Sequence, residues 1–511
     1  MDTTRAPLAH GTFARRWAGT SLLFIVLCGL WSLSTPIPSG PDEPTQYVKA
    51  AAVAHGTLIG DRPAGFPRGT ALVHVQGTFV MYDPSTFCYY LHPQVPAGCT
   101  VAPGPDATLR STTTYVGGYP PLYYALTGLP TLLSSRPLAR RAMRAVSAVL
   151  SAVLLGAAIS AAVTWSRSRW LVIGAAFTIT PTAVYLASVL NPNGLEISAA
   201  LAAWTTGVLL VFHHADRPPG GLVAVFAGSL VILALTRPLS PLWAGEIVAV
   251  LIVMRPDAAR HLIRGTPMRV GLSLAALAMA CAAVFVVAFD SLAIEKFPLA
   301  PGLSNLQVGA LVAGQIPLHL RSMVGQFGAP EFTAPGLAVL IWVVGVGALV
   351  CVALSVSPRK DAALLALLVV GVLVLLPFLA SFPGARTRGL AWQGRYQYPA
   401  AAGIPLLSAA LLGEARVKMG RAGNITVVAV VIGHLASYYW VLRRYTVGLG
   451  PFVNPFARVP GGWSPPLSPV LLTSLVTVAA VGSALWLAAR LGGLPLETGG
   501  PAEPPVLART D

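Results

Sequence analysis

Two adjacent carboxylates, Asp42 and Glu43, follow the first long apolar run of the chain. Proline lacks a backbone N–H and disfavours helix in the residue before it, so prolines end the apolar run ahead of the carboxylates; they are Pro36, Pro38, Pro41 and Pro44. Burying a carboxylate at a membrane costs free energy, which indicates a general base or a metal ligand facing a polar substrate. The alternative is a solvated turn in which Asp42 or Glu43 caps a helix that begins near Thr45.

A tyrosine-rich segment, Tyr-Pro-Pro-Leu-Tyr-Tyr at 119–124, precedes a cluster of four arginines: Arg136, Arg140, Arg141 and Arg144. The planar guanidinium fork of arginine suits phosphate, so this cluster could hold a lipid phosphate. Arginines on the non-cytoplasmic side run against the usual orientation bias of membrane proteins. The alternative is therefore a different topology, in which these four residues face the cytoplasm.

Two further polar segments interrupt the apolar pattern. The first is Asn-Pro-Asn-Gly-Leu-Glu at 191–196, which predicts either a tight hairpin with Glu196 at a helix N-terminus or a polar site facing the first loop. The second, at 392–399, places Arg395 among aromatic residues, where it could contact an anion or a sugar or act as an interfacial anchor. Arg237 lies close to or inside an apolar run, and such ionisable residues are functional candidates unless a pairing explains them.

Cys88 and Cys99 lie in the long polar segment that follows the first apolar run. A disulfide between them is expected if this segment is extracytoplasmic, because disulfides persist in oxidising compartments.

The elements that must position these residues are apolar helices. The chain has 511 residues, of which 55% are apolar and 10% charged, whereas a soluble protein carries about 25% charged residues. About twelve runs are candidate spans: 17–33, 143–165, 170–190, 196–213, 222–236, 238–254, 270–289, 336–356, 362–382, 398–413, 425–442 and 469–489. The net charge of +16 does not indicate nucleic acid, because the basic residues lie singly or in short clusters between these runs.

The distribution of positive charge predicts the topology. Arg15 and Arg16 precede the first run, and no signal-peptide cleavage site follows it, so that run is a signal anchor with a cytoplasmic N-terminus. Half of the 34 Lys and Arg residues then fall on the cytoplasmic side, which also receives the C-terminus. We expect an all-α, multi-pass plasma-membrane protein with one domain over 1–489. Its long outer loops span about 34–142 and 290–335, the first carries interfacial helices, and a disordered cytoplasmic tail covers 490–511.

The order of these motifs resembles the GT-C clan of membrane glycosyltransferases. One helix is followed by Pro-Asp-Glu at 41–43, a helix over 47–56, Tyr-Pro-Pro-Leu-Tyr-Tyr at 119–124, and Arg144 at the next span. The chain is more closely similar to the predicted-membrane-protein family called domain of unknown function 2142. The pattern of that family adds an Asn-Pro turn like 191–194, a Phe-Gly segment like 327–330 and a Gly-Arg-Tyr segment like 394–396.

This resemblance implies a GT-C-like fold and an inverting transfer of a sugar from a polyprenyl-phosphate donor to a glycan, lipid or protein acceptor outside the cytoplasm. Asp42 corresponds to the catalytic base of the clan, with Glu43 second. The candidate contacts to substrate and leaving phosphate are Arg144, Arg237, Arg395, Tyr123, Tyr396 and Glu196. Asn193 stands where a second acidic residue is expected. The resemblance therefore leaves open whether a divalent metal is needed, and it implies no other cofactor.

Two other functions fit the same sequence. A transporter or flippase for a lipid-linked or polar solute is compatible with about twelve spans, but it predicts ionisable residues near the membrane midplane and internal repeats. A non-catalytic protein of envelope assembly is the second alternative. Catalysis instead predicts ionisable residues at the outer ends of the helices.

Overall fold

A computed structural model of the protein describes residues 5–62, 65, 69–81, 88–101, 103–292, 298–328, 332–450, 454–457, 459 and 461–493. Most of the predicted C-terminal tail, from 494 onwards, lies outside these residues.

Helices make up most of the described structure. In chain order they are α1 (Arg5–Leu33), α2 (Glu43–Ala54), α3 (Leu122–Gly128), α4 (Pro130–Leu133), α5 (Pro137–Trp165), α6 (Arg169–Phe177), α7 (Pro181–Ser188), α8 (Pro192–His213), α9 (Gly220–Ala234), α10 (Ser240–Met254), α11 (Pro256–Arg264), α12 (Thr266–Ala288), α13 (Asn305–Gly314), α14 (Ile316–Val324), α15 (Gly336–Val356), α16 (Arg359–Val370), α17 (Leu376–Ser381), α18 (Ala385–Arg388), α19 (Gly394–Ala401), α20 (Gly403–Glu414), α21 (Ala422–Thr446) and α22 (Pro469–Gly493). Strands β1 (Ala71–Gln76) and β2 (Leu109–Thr114) form one small antiparallel sheet.

The prediction of an all-α, multi-pass membrane protein is confirmed. Within the described residues, eight helices are long and apolar enough to cross a membrane, or nine if the bent pair α6–α7 counts as one span. The count of about twelve is not confirmed. The run 170–190 is that pair, bent by 57°, and 398–413 is divided between α19 and α20. The runs 222–236 and 238–254 form 15-residue helices, which reach only about 22 Å across a hydrocarbon core of about 30 Å.

The core of the bundle surrounds α8. In the most apolar 18 residues of α8, 94% are buried, whereas in α22 only 11% are buried and the rest of its surface faces lipid. Helix α5 packs between α1 and α8, and α9 and α10 pack on the other side of α8. Since α1 and α8 carry the first loop and the 191–196 segment at their ends, this packing brings the two segments together.

The first long loop folds against this bundle. Helix α1 ends at Leu33, just before Pro36 and Pro38, as the prolines predict. Helix α2 then begins at Glu43 with a proline in its first turn, and it is buried over 43–53 against α3 and both strands. The strands pair from Ala71 with Thr114 to Gln76 with Leu109. We call the end of the bundle that carries this loop the loop face.

Candidate active site

The carboxylate of Asp42 is held without acting as a helix cap. Asp42 occupies the N-cap position of α2 in the left-handed backbone region (φ 58°, ψ 13°), and its side chain makes no capping hydrogen bond. Instead, the Tyr115 hydroxyl donates to Oδ1 at 2.8 Å, and Arg395 Nη2 donates to Oδ2 at 2.5 Å. The side chain is 36% exposed. A carboxylate has about four acceptor positions, so two remain for a substrate.

Glu43, by contrast, has no acceptor position left. Arg144 donates two hydrogen bonds to its carboxylate, from Nε to Oε1 and from Nη2 to Oε2, each 2.6 Å long. The backbone N–H groups of Ser39 and Gly40 donate to Oε2 at 2.9 and 2.8 Å, and that of Leu190 donates to Oε1 at 3.0 Å. The side chain is fully buried. The structure therefore places Glu43 and Arg144 in an internal pair that ties α5 and the turn before α8 to the first loop.

Two neighbouring cavities meet at Asp42. The larger has a volume of about 470 Å³ and the smaller about 330 Å³. Both are lined by Asp42, Tyr90, Tyr115 and Gln393. Among the described residues that line either cavity, Asp42 is the only one with a carboxylate. A group bound in one cavity and a group bound in the other would thus approach the same carboxylate.

Aromatic rings and arginines line the larger cavity. Tyr119, Trp392 and Tyr396 contribute rings, and Arg237 and Arg388 contribute positive charge. Burial raises the pKa of Tyr119, so its hydroxyl stays neutral and able to donate a hydrogen bond. Rings of this kind suit the apolar faces of a sugar, and arginine suits phosphate.

Arg237 is fixed at the wall of this cavity by Glu196. Its Nη1 lies 2.8 Å from Glu196 Oε2, and its guanidinium lies 5.9 and 5.1 Å from the ring centroids of Tyr119 and Tyr396. The Ser240 hydroxyl and the Asn193 amide also donate to Glu196, at 2.7 and 3.0 Å. Glu196 is therefore a buried counter-ion that holds Arg237.

Arg395 lines the smaller cavity. Besides its bond to Asp42, its Nε and Nη1 are buried and have no hydrogen-bond partner among the described residues. Gly328 lines the same cavity and adopts φ 84°, a backbone conformation that favours glycine. A Cβ atom at this position would lie 2.5 Å from the Ser39 carbonyl oxygen, because the Phe-Gly segment approaches the first loop closely.

The remaining predicted site residues lie away from these cavities. Neither Glu43 nor Arg144 lines either one. Tyr123 is fully buried and its hydroxyl lies 2.9 Å from the Ser147 hydroxyl. Cys88 and Cys99 form the disulfide that the sequence predicts. Cys88 is two residues before the cavity residue Tyr90.

The described residues at the site do not offer the ligand set of a divalent metal. Within the described part of the chain, no three His, Cys, Asp or Glu side chains are grouped closely enough to hold an ion. Asp42 already binds a guanidinium, and Glu196 is committed to Arg237 and Ser240. A site of hard oxygen ligands would need more free carboxylates than these.

The sequence does not single out Tyr90, Tyr115 and Arg388, which also line the larger cavity. Trp392 and Gln393 open the predicted segment 392–399, whose aromatic and amide side chains indicate a binding site. Tyr115 and Arg388 stand alone in polar stretches, and their roles depend on how distant segments meet.

The comparisons with known proteins identify the family. The model of the family described as "Predicted membrane protein (DUF2142)" matches residues 24–404. The chain belongs to this family.

Among solved structures, the crystal structure of ArnT from Cupriavidus metallidurans bound to undecaprenyl phosphate is similar over 93% of this chain and 76% of that chain, at 13% identity and a TM-score of 0.44. The apo structure of the same protein is similar over 94% and 78%, at 15% identity and a TM-score of 0.44. No curated protein sequence matches this member of the DUF2142 family.

Proposed function

We propose that this protein is a membrane glycosyltransferase that moves a sugar from a polyprenyl-phosphate donor to a hydroxyl of an envelope glycan, lipid or protein acceptor. The observation that carries the proposal is the position of Asp42, a half-exposed carboxylate in the wall shared by two cavities. The order of motifs shared with the GT-C clan supports it. In this proposal the loop face is extracytoplasmic, both termini are cytoplasmic, and the protein resides in the plasma membrane.

The larger cavity takes the donor in this proposal. Arg237 and Arg388 would face the phosphate, and Tyr119, Trp392 and Tyr396 would pack against the sugar. The smaller cavity takes the acceptor, because neither Arg237 nor Arg388 lines it. Its side-chain amides, from Gln326 and Gln393, can hydrogen-bond to hydroxyl groups.

The reaction then runs across Asp42. Its free acceptor positions take the proton of the acceptor hydroxyl, and that oxygen forms a bond to the anomeric carbon. The bond between this carbon and the phosphate oxygen breaks, and the phosphate leaves with the electron pair, so the configuration inverts. Arg237 stabilises the negative charge that develops on the leaving oxygen. Tyr115 and Arg395 hold the carboxylate in place and are positioning residues.

The location of the charged groups around Asp42 favours catalysis over transport. Transport predicts ionisable residues at the membrane midplane, whereas Asp42, Arg237, Arg388 and Arg395 all line the two cavities beside the first loop.

The test separates chemistry from binding. An Asp42→Asn variant is expected to bind a polyprenyl phosphate as the native protein does, but to lose transfer by a factor of about 10² to 10⁴. Transfer is read from the envelope glycans of a host whose only copy carries the variant, and binding from native mass spectrometry of the purified protein. Asp106→Asn is the matched control, because Asp106 belongs to the same loop but pairs with Arg110 and lines neither cavity. An unchanged glycan profile in a folded Asp42→Asn protein would refute the proposal.

A further inference from the structure

A third cavity, of about 180 Å³, lies at the loop face where α1 ends and α5 begins. Its walls include Thr35, Thr100, Arg140, Arg141 and Trp463, and none of its lining residues is acidic. It shares no lining residue with the two cavities at Asp42. This cavity therefore belongs to a different site.

The structure divides the arginine cluster into separate roles. Arg144 is neutralised by Glu43. Arg140 is 4% exposed and donates to the carbonyl oxygens of Thr78 and Pro103, at 3.3 and 2.8 Å, so its charge meets no carboxylate. Arg141 is exposed, and its guanidinium makes no hydrogen bond or ion pair within the described residues. The cavity consequently holds two positive charges that no acidic side chain of the described residues balances.

The length of α5 places these charges at the level of lipid headgroups. Its 29 residues extend over about 43 Å, whereas the hydrocarbon core is about 30 Å thick. Its C-terminal end, Trp165, is followed by the basic residues Arg167 and Arg169, which mark the opposite surface. Counting about 20 residues back from Trp165 puts the hydrocarbon boundary near residue 146. Arg140 and Arg141 then lie about 8 Å beyond it, within the headgroup layer.

Arg141 also lies on the side of α5 that meets lipid. Arg141, Ala145 and Val149 are all exposed and recur every four residues, so they form one stripe along the helix. Val149 lies about 5 Å inside the hydrocarbon boundary, so this side of α5 contacts acyl chains there. The charged cavity thus opens beside the bilayer.

We propose that this cavity binds the phosphate of a lipid headgroup in the leaflet at the loop face. Arg141 would make the principal contact, Arg140 would add charge, and the hydroxyl of Thr100 could donate to a phosphate oxygen. The Thr35 hydroxyl lines the cavity but already donates to the Trp31 carbonyl oxygen. Trp463 would pack against the glycerol region, as interfacial tryptophans do. An arginine that only anchors a helix in the interface needs neither a cavity nor a second uncompensated cation. This proposal does not depend on the proposed transferase activity.

The test is a titration of the full-length protein in detergent with phosphatidylglycerol, followed by native mass spectrometry. We expect one lipid to bind the native protein about tenfold more tightly than it binds Arg141→Gln, because one charge-assisted contact is lost. Arg136→Gln is the matched control. It removes an exposed arginine five residues away that does not line the cavity, and should bind like the native protein. Diacylglycerol, which lacks the phosphate, should not distinguish the three proteins.

Three outcomes would overturn the proposal. Equal lipid binding by Arg141→Gln and Arg136→Gln would mean that both arginines are ordinary interfacial anchors. Tight binding of inorganic phosphate, displacing the lipid, would mean a site for a soluble anion. Unchanged binding by Trp463→Leu together with Arg141→Gln would mean that the lipid binds elsewhere. Trp463 lies in a loop, so that variant tests the cavity without altering a helix.

Discussion

Asp42 and Glu43 are consecutive residues, but their carboxylates bind arginines from distant parts of the chain. Asp42 pairs with Arg395, 353 residues away, and Glu43 pairs with Arg144, 101 residues away. The first pair is partly exposed in a cavity wall, and the second is buried. Glu43 therefore holds the first loop against the bundle, and Asp42 is left at the wall of the cavities.

Replacing Glu43 by glutamine should destabilise the protein. The change leaves the Arg144 guanidinium buried without its counter-ion, which costs about 3–5 kcal/mol in the free energy of unfolding. Thermal unfolding in detergent should show a clearly lower midpoint. The double variant Glu43→Gln/Arg144→Met should recover part of the loss, because no unpaired charge remains. If Glu43→Gln melted like the native protein, the pair would not have the structural role assigned to it.

Replacing Tyr115 by phenylalanine should slow transfer without preventing binding. The change removes the hydrogen bond that the Tyr115 hydroxyl donates to Asp42, and a carboxylate held less firmly reaches the reactive geometry less often. We expect kcat to fall by about tenfold, with KM nearly unchanged. Tyr123→Phe is the matched control, because it removes a hydroxyl that lies outside both cavities. Equal kcat losses in the two variants would show that Tyr115 acts only through stability.

The sequence was sufficient for the membrane class, the family and the choice of the loop after α1. It could not predict that Glu43 is structural and Asp42 lines the cavities. That difference depends on Arg144 and Arg395, which come near the two carboxylates only in the folded bundle. The same limit applies to Glu196. Its type and position suggested a site contact, whereas packing of α8 against α10 places it under Arg237.

The number of membrane-spanning helices is also difficult to predict from the sequence, for a different reason. Hydropathy reports how apolar a run is, and the interior of a large bundle is as apolar as lipid. The run 170–190 therefore reads as one straight span, although it is bent between α6 and α7, where Thr180 caps α7 by accepting from the Ala183 N–H.

Removing the disulfide between Cys88 and Cys99 should loosen the wall that carries Tyr90. The bridge closes a separation of 11 residues, and the chain-entropy model assigns about 3 kcal/mol to a loop of this size. Arg444 also holds this loop by donating to the carbonyl oxygens of Tyr89 and Val95, at 2.6 and 2.7 Å. We therefore expect local opening rather than global unfolding.

Hydrogen exchange over 88–101 measures this opening. Exchange in the Cys88→Ala/Cys99→Ala variant, or in the native protein under reductant, should be faster, and transfer should fall with it. Cys281→Ala is the control, because Cys281 is an exposed free cysteine on α12. Exchange that is unchanged by reduction would show that Arg444 alone fixes the loop.

The stability of the first loop should depend on pH through Lys49. Its ammonium group is fully buried in α2, donates to the carbonyl oxygens of Leu58 and Gly117, and lies 5.8 Å from the ring centroid of Tyr124. Burial, and secondarily the charge of Arg62, lowers the pKa of Lys49 from 10.5 to about 7. Its stability contribution is therefore pH-dependent near neutrality.

The sign follows from the protons bound in each state. Below about pH 7 both the folded and the unfolded chain carry the Lys49 proton, and the full cost of burying the charge is present. Between about pH 7 and 10.5 the unfolded chain binds more protons than the folded one, so the free energy of unfolding rises with pH. Hydrogen exchange over 55–62 and 115–119, corrected for intrinsic rates, should show more opening at pH 6 than at pH 8.5. Lys49→Met should remove this difference, whereas His55→Gln, at the exposed end of α2, should keep it. A Lys49→Met protein with the native pH dependence would place the titrating group elsewhere.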